Sequence, residues 1–135
     1  MVDTRVFSAR LLRRASALDD LYLPMLASRP AVISFQTAAE VRHGAIKGGW
    51  GPARLRRLEV RLAEVDIAWP GPELVVGYAQ LRADCERVGH ALGQRIHDAD
   101  RWIAATAIRL GLPLVAHDRV FRHVPGLILE TALPG

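Results

Sequence analysis

The sequence predicts an α/β protein built on a parallel sheet of about four or five strands, with helices crossing over between them. Short apolar runs alternate along the chain with longer segments of helical period, which is the pattern of strands joined by crossover helices. No repeat, low-complexity tract or linker interrupts the 135 residues. We therefore expect a single domain over residues 1–135, large enough to build its own core.

The strands are predicted from the short apolar runs. They lie at residues 1–2, 31–35, 65–68, 112–116 and 127–129. The first of them, Met1 and Val2, is too short to sit centrally in a sheet. Either the native chain starts upstream of Met1 or the strand is short by nature, and we favour the first explanation.

The helices are predicted from apolar residues three and four positions apart and from Pro and Gly at their ends. They span residues 7–14, 18–26, 37–47, 72–86 and 98–110, with a further helix that begins at Pro52. Gly48 and Gly49 end the helix at 37–47, and Gly111 ends the helix at 98–110. Residues 88–97 contain two glycines and no clear period, so we expect a loop there.

Composition excludes several classes of protein. No apolar run approaches the roughly 18 residues of a bilayer span, and no secretion signal opens the chain, so we expect a cytoplasmic protein without a membrane partner. Cys85 is the only cysteine, which excludes a disulfide framework. We expect its side chain to be buried as a small apolar group rather than to act as a nucleophile. The net charge of +4 suits a polyanion such as RNA. However, 17 of the 18 basic residues are Arg, a bias that a GC-rich genome also produces, so charge alone decides nothing.

Four acidic residues fall where a parallel sheet binds its ligands. Asp3 and Asp118 follow the carboxyl ends of predicted strands, while Glu40 and Asp100 lie in the first turns of predicted helices. Each acid alone has an ordinary explanation as a cap, a turn former or a solvated residue. Their shared placement predicts that all four meet at one rim of the sheet.

A cluster of carboxylates requires a counter-charge, because two like charges 4 Å apart repel by about 4 kcal/mol at an effective dielectric of 20. Mg²⁺ is the natural candidate, since it prefers carboxylate and water oxygens and few direct protein ligands. A metal held there can lower the pKa of a bound water and neutralise charge on a phosphoryl oxygen. The hydroxyl of Thr4, next to Asp3, could position that water or a phosphate.

The local sequences around these acids resemble those of PIN domains. The matching segments are Asp-Thr-Arg-Val at 3–6, Ile-Ser-Phe-Gln-Thr-Ala-Ala-Glu at 33–40 followed by Gly44, Asp-Arg-Trp-Ile-Ala-Ala-Thr-Ala at 100–107, and Leu-Pro-Leu-Val-Ala-His-Asp at 112–118 with Phe121. The four motifs occur in the family's order and at similar spacing across essentially the whole chain. The compact size and the Glu40 segment resemble the VapC toxins in particular.

This resemblance implies a three-layer α/β/α PIN-like fold, dependence on Mg²⁺ or Mn²⁺, and cleavage of RNA phosphodiester bonds. It also implies inhibition by a VapB-type antitoxin and assembly as a homodimer or a hetero-oligomer with that antitoxin. Carried over by position, Asp3, Glu40, Asp100 and Asp118 form the acidic tetrad and hold the metal. Arg5 departs from the family's usual Asn and could reach phosphate or pair with an acid, whereas Asp98 could support the site or cap a helix.

Further interpretations stay open beside this one. Arg5, Arg101 and Arg119 are expected at the rim, holding the RNA backbone, and His117 could touch the site. Trp102 is expected to pack its helix against a neighbour rather than to stack on a base. The apolar segments 18–26 and 55–62 suit either an antitoxin groove or the core.

The alternative from another class is a degenerate fold that binds RNA or a protein without cutting. Three other enzyme classes are weaker. A metal-free ribonuclease needs two paired histidines, a receiver domain needs a lysine near the end of the fold, and a dehalogenase-type phosphatase opens with Asp-x-Asp. The sequence matches none of these patterns.

Overall fold

A computed structural model describes residues 1–11 and 16–135 of the chain. The helices are α1 (Thr4–Leu11), α2 (Ala17–Leu26), α3 (Phe35–Lys47), α4 (Pro52–Leu62), α5 (Pro72–Val88) and α6 (Asp98–Leu110). The strands are β1 (Val32–Ser34), β2 (Asp66–Ala68), β3 (Leu114–Val115) and β4 (Leu129–Glu130). The helix predicted at 7–14 begins earlier, at Thr4, and the last part of that prediction lies outside the described residues.

The strands form two parallel pairs. Met1 and Val2, the N-terminal segment, lie between the pairs and join them. Strand β1 pairs with β2, and β3 pairs with β4. Between the pairs, the Val2 amide donates to the Val32 carbonyl at 2.9 Å, and the Val115 amide donates to the Met1 carbonyl at 2.8 Å. The expectation that residues 1–2 are too short for a central position is therefore wrong. Two residues suffice because both neighbouring strands satisfy their backbone groups.

Side chains of the sheet alternate between two hydrophobic cores, as the pleat of a strand requires. Val2, Ile33 and Val115 pack in the core formed with helices α1 to α4. Met1 and Leu114 pack in the second core, with α5 and α6. The sheet is thus covered on both faces, which gives three layers of structure.

The helix ends follow from their flanking residues. Ser34 caps α3, its hydroxyl accepting from the Thr37 amide at 3.1 Å. Helices α4 and α5 begin at Pro52 and Pro72, where proline has no amide to leave unpaired. Gly111 ends α6 with a φ of 63°, a left-handed conformation that favours glycine.

The segment predicted as a loop at 88–97 is more ordered than expected. Helix α5 extends to Val88, and two short 3₁₀ turns follow, at Ala91–Gly93 and Arg95–His97. Leu92, which is fully buried, holds the segment against the second core. The sequence shows no period here because turns this short contain at most one buried residue, and the turn at Arg95–His97 contains none.

Several predictions about single side chains can be compared directly with the structure. Trp102 stacks on Tyr78 with ring centroids 3.8 Å apart, so it packs as expected, and Cys85 is buried. Leu58 and Leu62 lie in the first core, so core packing explains these two apolar residues of α4. Within the described ranges, no helix has both the length and the apolar character needed to cross a membrane.

Candidate active site

The four predicted acids line one cavity at the carboxyl ends of the central strands. Asp3 follows the N-terminal segment, and Asp118 lies three residues beyond the end of β3. Glu40 comes from the second turn of α3, and Asp100 from the first turn of α6. The cavity measures about 220 Å³, and its remaining lining residues are Thr4, Arg5, Ile103 and Phe121.

Asp3 is the most deeply buried of these acids, with only 3% of its surface exposed. Burial raises the pKa of its carboxyl from the ordinary 3.8 to about 6, and the nearby charges of Asp118 and Asp100 add to the increase. The Val6 amide opposes this by donating to Asp3 Oδ1 at 2.9 Å. The structure therefore holds the carboxyl in place while making its charge costly.

Asp100 and Asp118 differ in how far solvent reaches them. Burial raises the pKa of Asp100, as do the charges of Asp118 and Glu40, whereas the ring of His97, 3.4 Å from Asp100 Oδ2, lowers it. Asp118 is exposed, and its Oδ1 accepts from the Val120 amide at 2.9 Å. These acids come from separate parts of the chain, and their negative charges therefore repel one another across the cavity.

Glu40 is oriented by a row of hydroxyl groups that the sequence-based prediction missed. The Ser34 hydroxyl donates to Thr37 Oγ1, the hydroxyls of Thr37 and Thr4 lie 2.9 Å apart, and the Thr4 hydroxyl donates to Glu40 Oε2. Gln36 Nε2 donates to the other carboxylate oxygen at 3.1 Å. The Ser-x-x-Thr spacing at the start of α3 is the available signal, but it indicates only a helix cap.

The supporting residues lie in different positions around the cavity. Arg5 Nη1 donates to the His117 carbonyl at 3.3 Å, so this arginine bridges the two strand ends that carry Asp3 and Asp118. Asp98 accepts hydrogen bonds from Tyr78 and Arg101, and it is absent from the cavity lining. In this conformation Asp98 therefore stabilises α6 and the neighbouring helix.

The expectation that Arg101 lies at the rim is wrong. Arg101 is fully buried, and its guanidinium donates to the carbonyls of Leu92 and Gln94 and to the Tyr78 hydroxyl. One residue along a helix corresponds to a rotation of about 100°, so the neighbour of Asp100 points into the core. Arg119, by contrast, is exposed beside Asp118.

His117 contributes to the site through its backbone. Its side chain turns away toward α2, where Nδ1 lies 2.8 Å from the hydroxyl of the buried Tyr22. The backbone amide of His117 helps to lower the pKa of Asp3, and its carbonyl accepts from Arg5. The ring thus anchors the end of β3 to α2.

The donor set of the cavity has the chemistry of a divalent-cation site, because its polar lining is mainly carboxylate. Across residues 1–11 and 16–135, no three Asp, Glu, His or Cys side chains form a complete metal-binding group. The carboxylates of Asp3, Glu40, Asp100 and Asp118 would hold a hydrated ion such as Mg²⁺, some of them directly and some through its bound water.

Comparison with known proteins identifies a family that the chain matches. A family model described as "PIN domain" matches residues 1–127. Ribonuclease VapC1 of Haemophilus influenzae strain R2866 is 24% identical over 128 residues, covering 94% of this chain and 92% of that protein.

Solved structures show the same fold. VapBC2 from Rickettsia felis, bound to a DNA fragment from its promoter, aligns with a TM-score of 0.77 at 23% identity, over 97% of this chain and 96% of that one. VapBC-1 from nontypeable Haemophilus influenzae aligns with a TM-score of 0.76 at 22% identity, with the same coverage. The predicted three-layer arrangement around a parallel sheet is confirmed.

Proposed function

The chain belongs to the PIN-domain family, and from that premise we propose that it is a Mg²⁺- or Mn²⁺-dependent endoribonuclease. We propose further that it acts as the toxin of a type II toxin–antitoxin pair. The observation that carries the nuclease proposal is the meeting of four carboxylates from separate segments at one cavity, with the pKa values of Asp3 and Asp100 raised. Burial and the repulsion among these carboxylates both disfavour their charged forms, and a bound divalent cation would relieve both.

In this proposal Asp3, Asp100 and Asp118 hold the ion, with Glu40 acting directly or through water. When bound, the ion supplies an acidic water and neutralises charge on the phosphoryl group. Glu40, whose carboxylate oxygens accept hydrogen bonds from Thr4 and Gln36, would accept a proton from a water in the cavity.

The exposed arginines beside the acids take the role of holding substrate. Arg5 is already placed over the cavity by its bond to the His117 carbonyl, and Arg119 follows Asp118 directly. Guanidinium groups bind phosphate oxygens in pairs, which aligns the scissile bond without contacting a base.

The partner proposal is supported by the relatives. The similar structures are described as VapBC assemblies, and one similar protein is named Ribonuclease VapC1. We therefore propose a VapB-type antitoxin as partner, in a hetero-oligomer, with a homodimer of this chain and a cytoplasmic location. Leu21 and Leu23 on α2 are large apolar residues left exposed, and they suit contact with such a partner.

The test is RNA cleavage by refolded, antitoxin-free protein with Mg²⁺ or Mn²⁺ and with EDTA. We expect metal-stimulated cleavage by the parent chain and none by Asp100→Asn, which retains shape and loses charge. Asp66→Asn is the matched control, because Asp66 is exposed at the opposite end of the sheet. Cleavage by Asp100→Asn at the parental rate would overturn the proposed site.

A second assay addresses the toxin role. We expect expression of the parent chain to arrest growth, and Asp3→Ala and Asp118→Ala each to abolish the arrest while remaining folded. Full toxicity of either variant contradicts the assignment. If the parent and Asp100→Asn both bind RNA but neither cuts it, the non-catalytic alternative replaces the nuclease.

A further inference from the structure

Helix α4 carries a row of arginines beside its buried face. Leu58 and Leu62 pack in the core, while Arg54, Arg57 and Arg61 follow one another at spacings of three and four residues. Such spacings place side chains on one face of a helix, here over a rise of about 10 Å. We name these three residues the α4 arginine row.

The α4 arginine row differs from the arginines of helices α5 and α6 in lacking acidic partners. Arg82, Arg87 and Arg109 on helices α5 and α6 each lie within 4.0 Å of a carboxylate. In the part of the chain that the structure describes, no carboxylate lies that close to any member of the row. Codon usage can raise the number of arginines, but it does not explain why three without an acidic partner follow one another along one face of α4.

Neighbouring groups keep the field of this face positive. Glu59 is the only acid on α4, and Arg42 of α3 binds both of its carboxylate oxygens, at 2.8 and 2.9 Å. The Arg54 guanidinium lies 3.7 Å from the centroid of the Trp50 ring, which holds that side chain against the surface. Exposed Lys47 at the end of α3 adds a further positive charge.

From these observations we propose that the α4 arginine row binds the phosphate backbone of an RNA chain outside the catalytic cavity. The proposal rests on the proposed function, because it takes RNA as the substrate. A chain of phosphates is the ligand that matches a line of unpartnered guanidinium groups, each of which binds two phosphate oxygens.

Helix α4 is attached to the helix that carries Glu40. The Arg42–Glu59 ion pair joins α4 to α3, and Glu40 lies on α3. A cavity of about 220 Å³ can hold only a short part of a long RNA chain, so the rest of the chain must lie outside it. The row would therefore supply affinity that does not depend on base sequence.

The experiment measures RNA binding in the absence of cleavage. In the Asp100→Asn background without divalent ions, Arg54, Arg57 and Arg61 are changed together to Gln. The matched control changes Arg82, Arg87 and Arg109 to Gln, which removes the same charge from another face. Anisotropy of a short fluorescent single-stranded RNA of mixed sequence gives Kd over a series of salt concentrations.

We expect the row variant to bind about tenfold or more weakly at physiological salt, with its log–log salt slope reduced by about 2. The control should stay within about twofold of the parent, and the same three arginines changed to Lys should keep most of the slope. If the triple Gln variant does not fold, Arg57→Gln alone should lower the slope by about 0.7.

Unchanged affinity in the row variant would overturn the proposal and would favour an acidic protein segment as the ligand of this face. Equal losses in the row variant and the control would also overturn it, because the effect would then come from net charge. These outcomes are distinct from failure of the nuclease. A chain that binds RNA through the row but never cuts it loses the proposed function alone.

Discussion

The hydroxyls of Thr4 and Thr37 lie 2.9 Å apart, although 33 residues separate them in sequence. This contact joins the start of α1 to the start of α3. Because the Thr4 hydroxyl donates to Glu40, the proton of the Thr37 hydroxyl is directed toward Thr4, and Ser34 supplies the next proton in the row. The orientation of Glu40 thus depends on the hydroxyl of Thr37, which is buried and has no direct access to substrate.

The substitution Thr37→Val should disturb the orientation of Glu40 while leaving the fold intact. Valine has the shape of threonine without its hydroxyl, so we expect a loss of about 1–2 kcal/mol of stability and a larger loss of cleavage than of RNA affinity. Thr106→Val is the control, because Thr106 is also buried and its hydroxyl donates to the Trp102 carbonyl of its own helix, away from Glu40. Urea denaturation and cleavage rates are the measurements. An equal loss of cleavage in both variants contradicts a positioning role for Thr37.

The pKa of Asp3 predicts how the stability of the metal-free protein varies with pH. Its folded pKa of about 6 exceeds the ordinary value of 3.8, so its contribution is complete below about pH 4 and is lost as the pH rises through 6. A difference of about two pKa units corresponds to about 3 kcal/mol. Asp3→Asn should therefore become progressively more stable relative to the parent between about pH 4 and pH 7. Denaturation in EDTA across this range measures the difference, and a constant difference would contradict the prediction.

Divalent ions should stabilise the parent chain through the same carboxylates. At a concentration about 100-fold above Kd, one bound ion adds about 3 kcal/mol to the free energy of unfolding, so Tm should rise by several degrees. Asp118→Asn should reduce the rise, while its amide oxygen can still accept from Val120. The control Asp66→Asn should keep the whole effect. Thermal melts with Mn²⁺ or EDTA give the answer, and an unaltered rise in Asp118→Asn would remove that residue from the metal site.

Arg101 should prove structural in solution. Arg101→Lys keeps the charge but loses donors to the Leu92 and Gln94 carbonyls, so we expect a cost of about 2–3 kcal/mol. Amide exchange should also accelerate in the Ala91–Gly93 turn. Arg95→Lys, at an exposed arginine of the same segment, should change neither. A stable Arg101→Lys variant with weakened RNA binding would restore the rim role that the structure contradicts.

The sequence predicted correctly those features that depend on neighbouring residues along the chain. The helix predicted at 98–110 is α6 with the same bounds, since its apolar period and Gly111 are both local signals. Arg101 shows the limit of reasoning from adjacency, because its side chain points about 100° away from that of Asp100. The row of hydroxyls ending at Glu40 was not predictable, because it requires knowing that Thr4 meets α3.

By itself the sequence determined the α/β class and the order of the helices and strands along the chain, because these depend on period, caps and turn residues. The central position of Met1 and Val2, the burial that raises the pKa of Asp3, and the partners of Arg101 were decided only by tertiary structure. Each depends on backbone or side chains from distant segments, and a desolvation or a long-range hydrogen bond exists only once those segments have packed together.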